Sequence, residues 1–227
     1  MCDDGSSDGT YEVAEEYLRN YPEKIVLLKN EKNKGLNYTL NRCLKVATGE
    51  YIARMDGDDT CSPERFDEEV AVLQAEPNIA IVSSDMAMFD ENGVWGKVSH
   101  PQYPERKDFI HGTPFCHAPC MVRKEAYDAV NGYSEDKKLL RVEDYHLWFK
   151  IFATGHKLFM LDECLYKMRD DRNAVARRNW LTRRNEAYVK HIGYKMIGLP
   201  WWYQAYTIVP ILKYYAPKSL YKLIHRR

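Results

Sequence analysis

Short apolar runs alternate with helical stretches along most of this chain, and nothing else in it constrains the fold as tightly. An amphipathic stretch near 10–20 is followed by a buried strand at 25–29 (Ile-Val-Leu-Leu-Lys). A second helix is expected over 36–47, closed by Thr48-Gly49, and then a strand from Glu50 to Met55. Pro63 suits a first helical position, so a helix starts there, and 79–84 (Ile-Ala-Ile-Val-Ser-Ser) reads as the next strand. Residues 85–120 are broken by Gly93, Gly96, Pro101, Pro104 and Pro114 and read as short strands and loops. Helices near 123–130 and 143–153 and strands at 157–161 and 163–168 complete the pattern. Such alternation predicts an α/β fold, a mostly parallel sheet flanked by helices. Ligands of such sheets bind beyond the carboxyl ends of the strands.

Two Asp-rich stretches stand at such ends, and a third acidic cluster opens a helix. Asp3-Asp4-Gly5-Ser6-Ser7-Asp8-Gly9-Thr10 can be a turn with a helix cap. Asp4, Ser6, Asp8, Gly9 and Glu15 also have the spacing of a calcium loop, but that loop needs an entering helix and only three residues precede Asp4. Asp56-Gly57-Asp58-Asp59 directly follows a strand. Its acids can be a solvated turn, or can supply one or two carboxylates to magnesium whose shell a diphosphate completes. Glu143-Asp144 opens a helix, where acids favour the macrodipole and where one could also act as a general base.

Taken in order, these clusters resemble the family 2 glycosyltransferases of the GT-A fold over roughly residues 1–170. The resemblance also rests on Asn33-Lys34-Gly35-Leu36, Asn41, Pro63-Glu64-Arg65-Phe66, His117 to Lys124, Asn131-Gly132-Tyr133 and Glu143 to Trp148. It implies an inverting transfer of a sugar from a nucleotide sugar, UDP-linked by analogy, to a hydroxyl of a glycan or lipid-linked acceptor. Asp3 and Asp4 would face the nucleotide, with Gly35 on the same donor side. Asp56, Asp58 and Asp59 would form the DxD element, with Asp58 and Asp59 holding Mg2+ or Mn2+. Asp144 would be the base with Glu143 beside it, and Arg169 and Arg172 would offer charge to the diphosphate. Family members carry a strand, a helix and a second strand before the first acidic motif. Here Met1-Cys2 stands at the end of that second strand. About 30 residues and one wall of the nucleotide pocket are therefore expected to be missing. A truncated remnant or partner-binding subunit is the alternative to an enzyme. A nucleotidyltransferase should show a glycine-rich basic loop, and none is present.

The neutral total charge hides a split. Residues 177–227 carry 11 Lys and Arg against one acid, Glu186, a net of +10, so the rest of the chain carries −10. Domains are therefore expected at 1–176, the catalytic unit, and 177–227, a basic, aromatic-rich helical tail. Seventeen uncharged residues separate Lys195 from Lys213, but Pro200, Gln204 and Pro210 argue against a membrane span. Leu220, Leu223 and Ile224 fall on one helical face and Lys218 and Lys222 on another. The tail is read either as a lid on the catalytic domain or as a peripheral contact with an anionic membrane. No nucleic-acid motif supports that class of partner. His111, Cys116, His117 and Cys120 lack the paired spacing of a structural zinc site. Six scattered cysteines and an acidic start suggest the cytoplasm, at the inner face of the membrane.

Overall fold

The strand from Ile79 to Asp90 organises the molecule, because both of its edges are paired along most of its length. The computed structural model describes residues 1–170 and 179–215. In chain order the strands are β1 (Cys2–Asp3), β2 (Leu28–Lys29), β3 (Tyr51–Ala53), β4 (Thr60–Cys61), β5 (Ile79–Asp90), β6 (Gly93–Val98), β7 (Met121–Arg123) and β8 (Lys157–Arg169). The helices are α1 (Thr10–Asn20), α2 (Leu36–Val46), α3 (Arg65–Ala75), α4 (Lys124–Ala129), α5 (Glu143–Ala153), α6 (Trp180–Met196) and α7 (Val209–Tyr215).

The main sheet runs β3-β7-β5-β8-β4, with β6 on the far half of β5. The α/β class with the GT-A arrangement is as read from the sequence. The main sheet is mixed: β5–β8 is parallel while its other described pairs are antiparallel, and β1–β2 forms a separate parallel pair. The reason lies in the connections. A tight turn joins β5 to β6, which an antiparallel pair allows, whereas β5 reaches its parallel partner β8 only through α4 and α5.

β5 is twice as long as the apolar run that announced it. Its continuation carries Asp85, buried because it accepts from Ser99 Oγ at 2.8 Å and pairs with Lys97 at 2.8 Å. The two strands expected at 157–161 and 163–168 are one strand with irregular register against β5. The strand expected at 25–29 shrinks to its last two residues. Helices lie close to where the pattern placed them.

The main core packs α5 against β5, β7 and β8, with Leu147, Trp148, Phe149 and Ile151 fully buried. α6 is capped by Asn179, whose side chain accepts from Thr182 N at 3.0 Å. It closes the core with Val189 and Tyr194. Gly193 admits the Phe149 ring, since a Cβ there would stand 2.2 Å from it. No helix among the described residues is long and apolar enough to cross a membrane. Arg172 and the amphipathic face at 218–224 lie outside the described residues.

Candidate active site

β1 ends at the first acidic cluster. Asp3 is buried, and its carboxylate accepts from Gly5 N at 3.2 Å and from Ser6 N at 3.2 Å. Gly5 is required at this bend: its φ is +74°, and a Cβ would stand 2.7 Å from the Lys32 backbone. Asp4 accepts from Asn30 Nδ2 at 2.7 Å, Lys34 N at 2.8 Å and Gly35 N at 2.9 Å. Burial pushes its carboxyl upward, but these three donors outweigh that and hold it below the usual aspartate value. Gly35, at φ +90°, caps α2. Asp4, Gly35, Asn37 and Glu143 line a cavity of about 460 Å³.

The second cluster follows β3 and is braced from below. Arg65 and Glu69, one turn apart on α3, form a fully buried ion pair at 3.0 Å, and Arg65 also donates to Arg54 O at 3.0 Å. Burial pushes Glu69 up to about 7 against the pull of Arg65. Tyr166 of β8 accepts from Asp56 N at 3.2 Å and donates to Asp59 Oδ2 at 2.8 Å. Asp59 Oδ1 accepts from Arg169 N at 2.8 Å. Asp59 is thus a buried strut, its carboxyl raised chiefly by burial. Asp58 is exposed and makes no hydrogen bond or ion pair among the described residues.

Asp56 instead pairs with Arg54 at 2.8 Å. The other end of that guanidinium donates to His117 Nδ1, and His117 Nε2 lies 2.8 Å from Tyr133 Oη. An arginine only donates, so Nδ1 must accept and the ring proton sits on Nε2. Burial and the neighbouring Arg54 hold His117 well below its ordinary value, which keeps it neutral. Asn41 of α2 fixes Tyr133 by accepting from its N and donating to its O, both at 2.9 Å. Gly132 permits this, since a Cβ would stand 2.6 Å from Asn41 Oδ1.

Asp144 faces Arg54 and Asp56 across a cavity of about 290 Å³ that His100 and His117 also line. Burial first, and Glu143 second, push its carboxyl up to about 6. The N-terminus of α5 therefore sends Glu143 to one cavity and Asp144 to the next. Of the expected site residues, Asp4, Gly35 and Glu143 meet in the first cavity and Asp56 and Asp144 in the second. Asp3, Asp58, Asp59 and Arg169 line neither.

Sequence reasoning missed Tyr166, Glu69 and the Arg54–His117 link. Arg54 and His117 stood inside quoted motifs, but their pairing spans 63 residues and no local signal announces it. Of the rejected zinc set, His117 is engaged by Arg54 and Tyr133, and Cys120 Sγ donates to Cys116 O at 2.8 Å.

Comparison with known proteins gives the family and the fold. Residues 1–130 match the family model described as Glycosyl transferase family 2. EpsE of Bacillus subtilis is 37% identical over 227 residues, covering 100% of this chain and 82% of the relative. The amylovoran biosynthesis glycosyltransferase AmsE of Erwinia amylovora is 33% identical over 162 residues, covering 69% of this chain and 59% of AmsE. Among solved structures, S. aureus TarS in complex with UDP superposes with a TM-score of 0.63 at 18% identity. That match covers 94% of this chain and 60% of TarS. The mannosyltransferase PcManGT of Pyrobaculum calidifontis, in complex with GDP-Man and Mn2+, gives 0.61 at 18% identity, covering 98% of this chain and 68% of the other. These two likenesses show the fold.

Proposed function

The chain belongs to glycosyl transferase family 2, and from that premise we propose that it moves a sugar from a nucleotide sugar, UDP-linked by resemblance, to an acceptor hydroxyl with inversion. The acceptor in this reading is a glycan or a lipid-linked glycan, by the same resemblance. Asp144 carries the reading. A carboxylate that titrates near 6 is ionised at neutral pH yet basic enough to take a proton, and it shares one cavity with Asp56, the first acid after β3. Attack by the acceptor oxygen opposite the departing diphosphate inverts the anomeric centre, with Asp144 receiving the hydroxyl proton. Glu143, beside it, lines the cavity of Asp4 and Gly35, which suits the nucleotide end of the donor. Asp3 and Asp4 shape the nucleotide loop through its backbone amides, and Arg169, at the end of β8, would offer charge to the diphosphate.

Mg2+ or Mn2+ fits the donor set, although the described residues hold no cluster of three or more His, Cys, Asp or Glu. Such ions take one or two carboxylates and leave the remainder of the shell to water and phosphates. Asp58 offers an unengaged carboxylate, and Asp59 keeps lone pairs beyond its two protein donors. When bound, the ion would neutralise charge on the leaving diphosphate. Residues 1–176 form the transferase unit in this reading, with 177–227 appended to it. The work is done in the cytoplasm at the inner face of the membrane, a view supported by six unpaired cysteines. Calorimetric titration with UDP, with and without Mn2+, tests the donor site. Metal-dependent binding that disappears in Asp58→Ala is expected; binding indifferent to both would contradict it.

A further inference from the structure

A third cavity, of about 390 Å³, lies between the start of α5 and the pair α6–α7, and Asp144 lines it as well. It shares Thr113 and Asp144 with the cavity that Asp56 lines, so a molecule held there would adjoin the base. Its wall carries Arg141, Arg183, Lys213 and His111, with Glu186 the only carboxylate besides Asp144. Glu186 is already divided between two cations: it accepts from Arg183 at 2.9 Å and stands 4.0 Å from the buried Lys190. Lys190 titrates down to about 8, through burial first, with Glu186 opposing and the nearby Lys213 and Arg183 adding repulsion. Arg141 and Lys213 make no ion pair among the described residues. Arg141 is also held at φ +69°, an uncommon conformation for a residue with a side chain. The lining therefore sets three fixed cations against two carboxylates, and Arg141 and Lys213 are left without a carboxylate partner among the described residues.

The surface beside it is aromatic. Trp201 is 80% exposed, Trp202 57%, Leu212 58% and Tyr215 71%. Tyr206 brings this face to the cavity rim, its ring 6.1 Å from that of His111. No acid follows Glu186 anywhere in the sequence. Tryptophan and tyrosine settle where an apolar phase meets water, and a patch this rich in them is unusual on a protein surface facing only water. A lipid with an anionic head matches both features, the cations in the cavity and the aromatic face around it.

We propose that this cavity receives the phosphate-bearing head of a lipid-linked acceptor, with Arg141 and Lys213 on the phosphate oxygens and the Trp201–Tyr215 face seated in the lipid interface. The proposal rests on Asp144 as the transferring base, and it names the acceptor's chemical class.

Co-sedimentation of the full chain with three vesicle preparations tests it: neutral phosphatidylcholine, the same with phosphatidic acid, and the same with phosphatidylglycerol at matched charge. The phosphomonoester of phosphatidic acid should bind best, and soluble inorganic diphosphate should compete for that advantage. Lys213→Gln should weaken phosphatidic acid binding by about fivefold, the effect of one basic group at an anionic surface, while Lys213→Arg should retain it. Trp201→Ser should weaken association with all three. Equal binding to both anionic lipids, unmoved by Lys213→Gln, would reduce the effect to general surface charge and overturn the proposal. Diphosphate binding without vesicle association would point to a soluble phosphate-bearing acceptor and overturn the lipid assignment; no binding to either overturns both parts. The UDP titration is read separately. UDP binding without vesicle selectivity sinks this proposal alone, and vesicle selectivity without UDP binding sinks the donor reading alone.

Discussion

The stretch before Leu73 and the stretch after it are held together by different forces. Among the described residues, no hydrophobic side chain before Leu73 is buried, whereas α5 alone buries Tyr145, Leu147, Trp148, Phe149 and Ile151. α1 buries nothing, and α2 buries only Asn37 and Thr39. The stretch before Leu73 is latched instead. Asp4 grips the 30–35 loop, Asn41 clamps the Tyr133 backbone, and Asn37 donates to Ser134 O at 2.6 Å. Burial of a large side chain contributes roughly 1.5–3 kcal/mol, and a single hydrogen bond nets only about 0.5–1.5. Hydrogen bonds make up for this in direction, which is what the proposed nucleotide site needs. The stretch before Leu73 should therefore loosen while the half that carries Asp144 stays folded.

Phe149→Ala is the harshest probe of the contrast. Phe149 packs against Phe109, Tyr145 and Tyr194 with centroids 4.6–6.1 Å away, and its loss should cost about 3–5 kcal/mol in urea unfolding. Asn41→Ala removes two hydrogen bonds to one backbone segment and should cost about 1–3 kcal/mol. That loss should appear as faster amide exchange over 36–46 and weaker UDP binding, with slow exchange kept in β5 and α5. Exchange rising equally in both halves would break the comparison.

Titration sharpens it, because the two halves carry aspartates shifted in opposite directions. The folded value of Asp4 lies below the unfolded one, so its contribution is complete above about pH 4 and fades as pH falls through the folded value. The folded value of Asp144 lies above the unfolded one. Its ionisation therefore costs stability, absent below about pH 4 and complete above about 6. Asp144→Asn should be more stable than the parent at pH 7, with the gap closing as pH falls toward 4, while Asp4→Asn should be less stable at pH 7. The smallest effect is expected at Asp58→Ala, whose unfolding free energy should stay within about 0.5 kcal/mol of the parent even as donor binding fails.

Local signals made α1, α2, α3 and α5 legible: an apolar face at helical spacing, a proline near a helix start, acids in the first turn of α5. The acids after β3 were legible because they follow a short apolar run, and those at the end of β1 because Asp, Ser and Gly crowd one turn. Neither the true length of β5 nor the bracing of β3 was legible. Asp85 looked like a loop residue because the partners that allow its burial, Lys97 and Ser99, lie across a hairpin. Tyr166 lies 107 residues from the Asp59 it supports, and only the folded sheet brings them together. Asp58 and Asp59, adjacent and chemically identical, differ in role because one turns inward to Tyr166 and the other out to solvent.

The central claim is that Asp144 takes the acceptor proton, and the pH dependence of kcat/KM for transfer from a UDP-sugar tests it most directly. The parent should show an acid limb with a midpoint near the Asp144 value of about 6. Asp144→Asn should be slower by about 10²–10⁴-fold, with that limb gone. A variant within a few-fold of the parent that keeps the same limb would contradict the account.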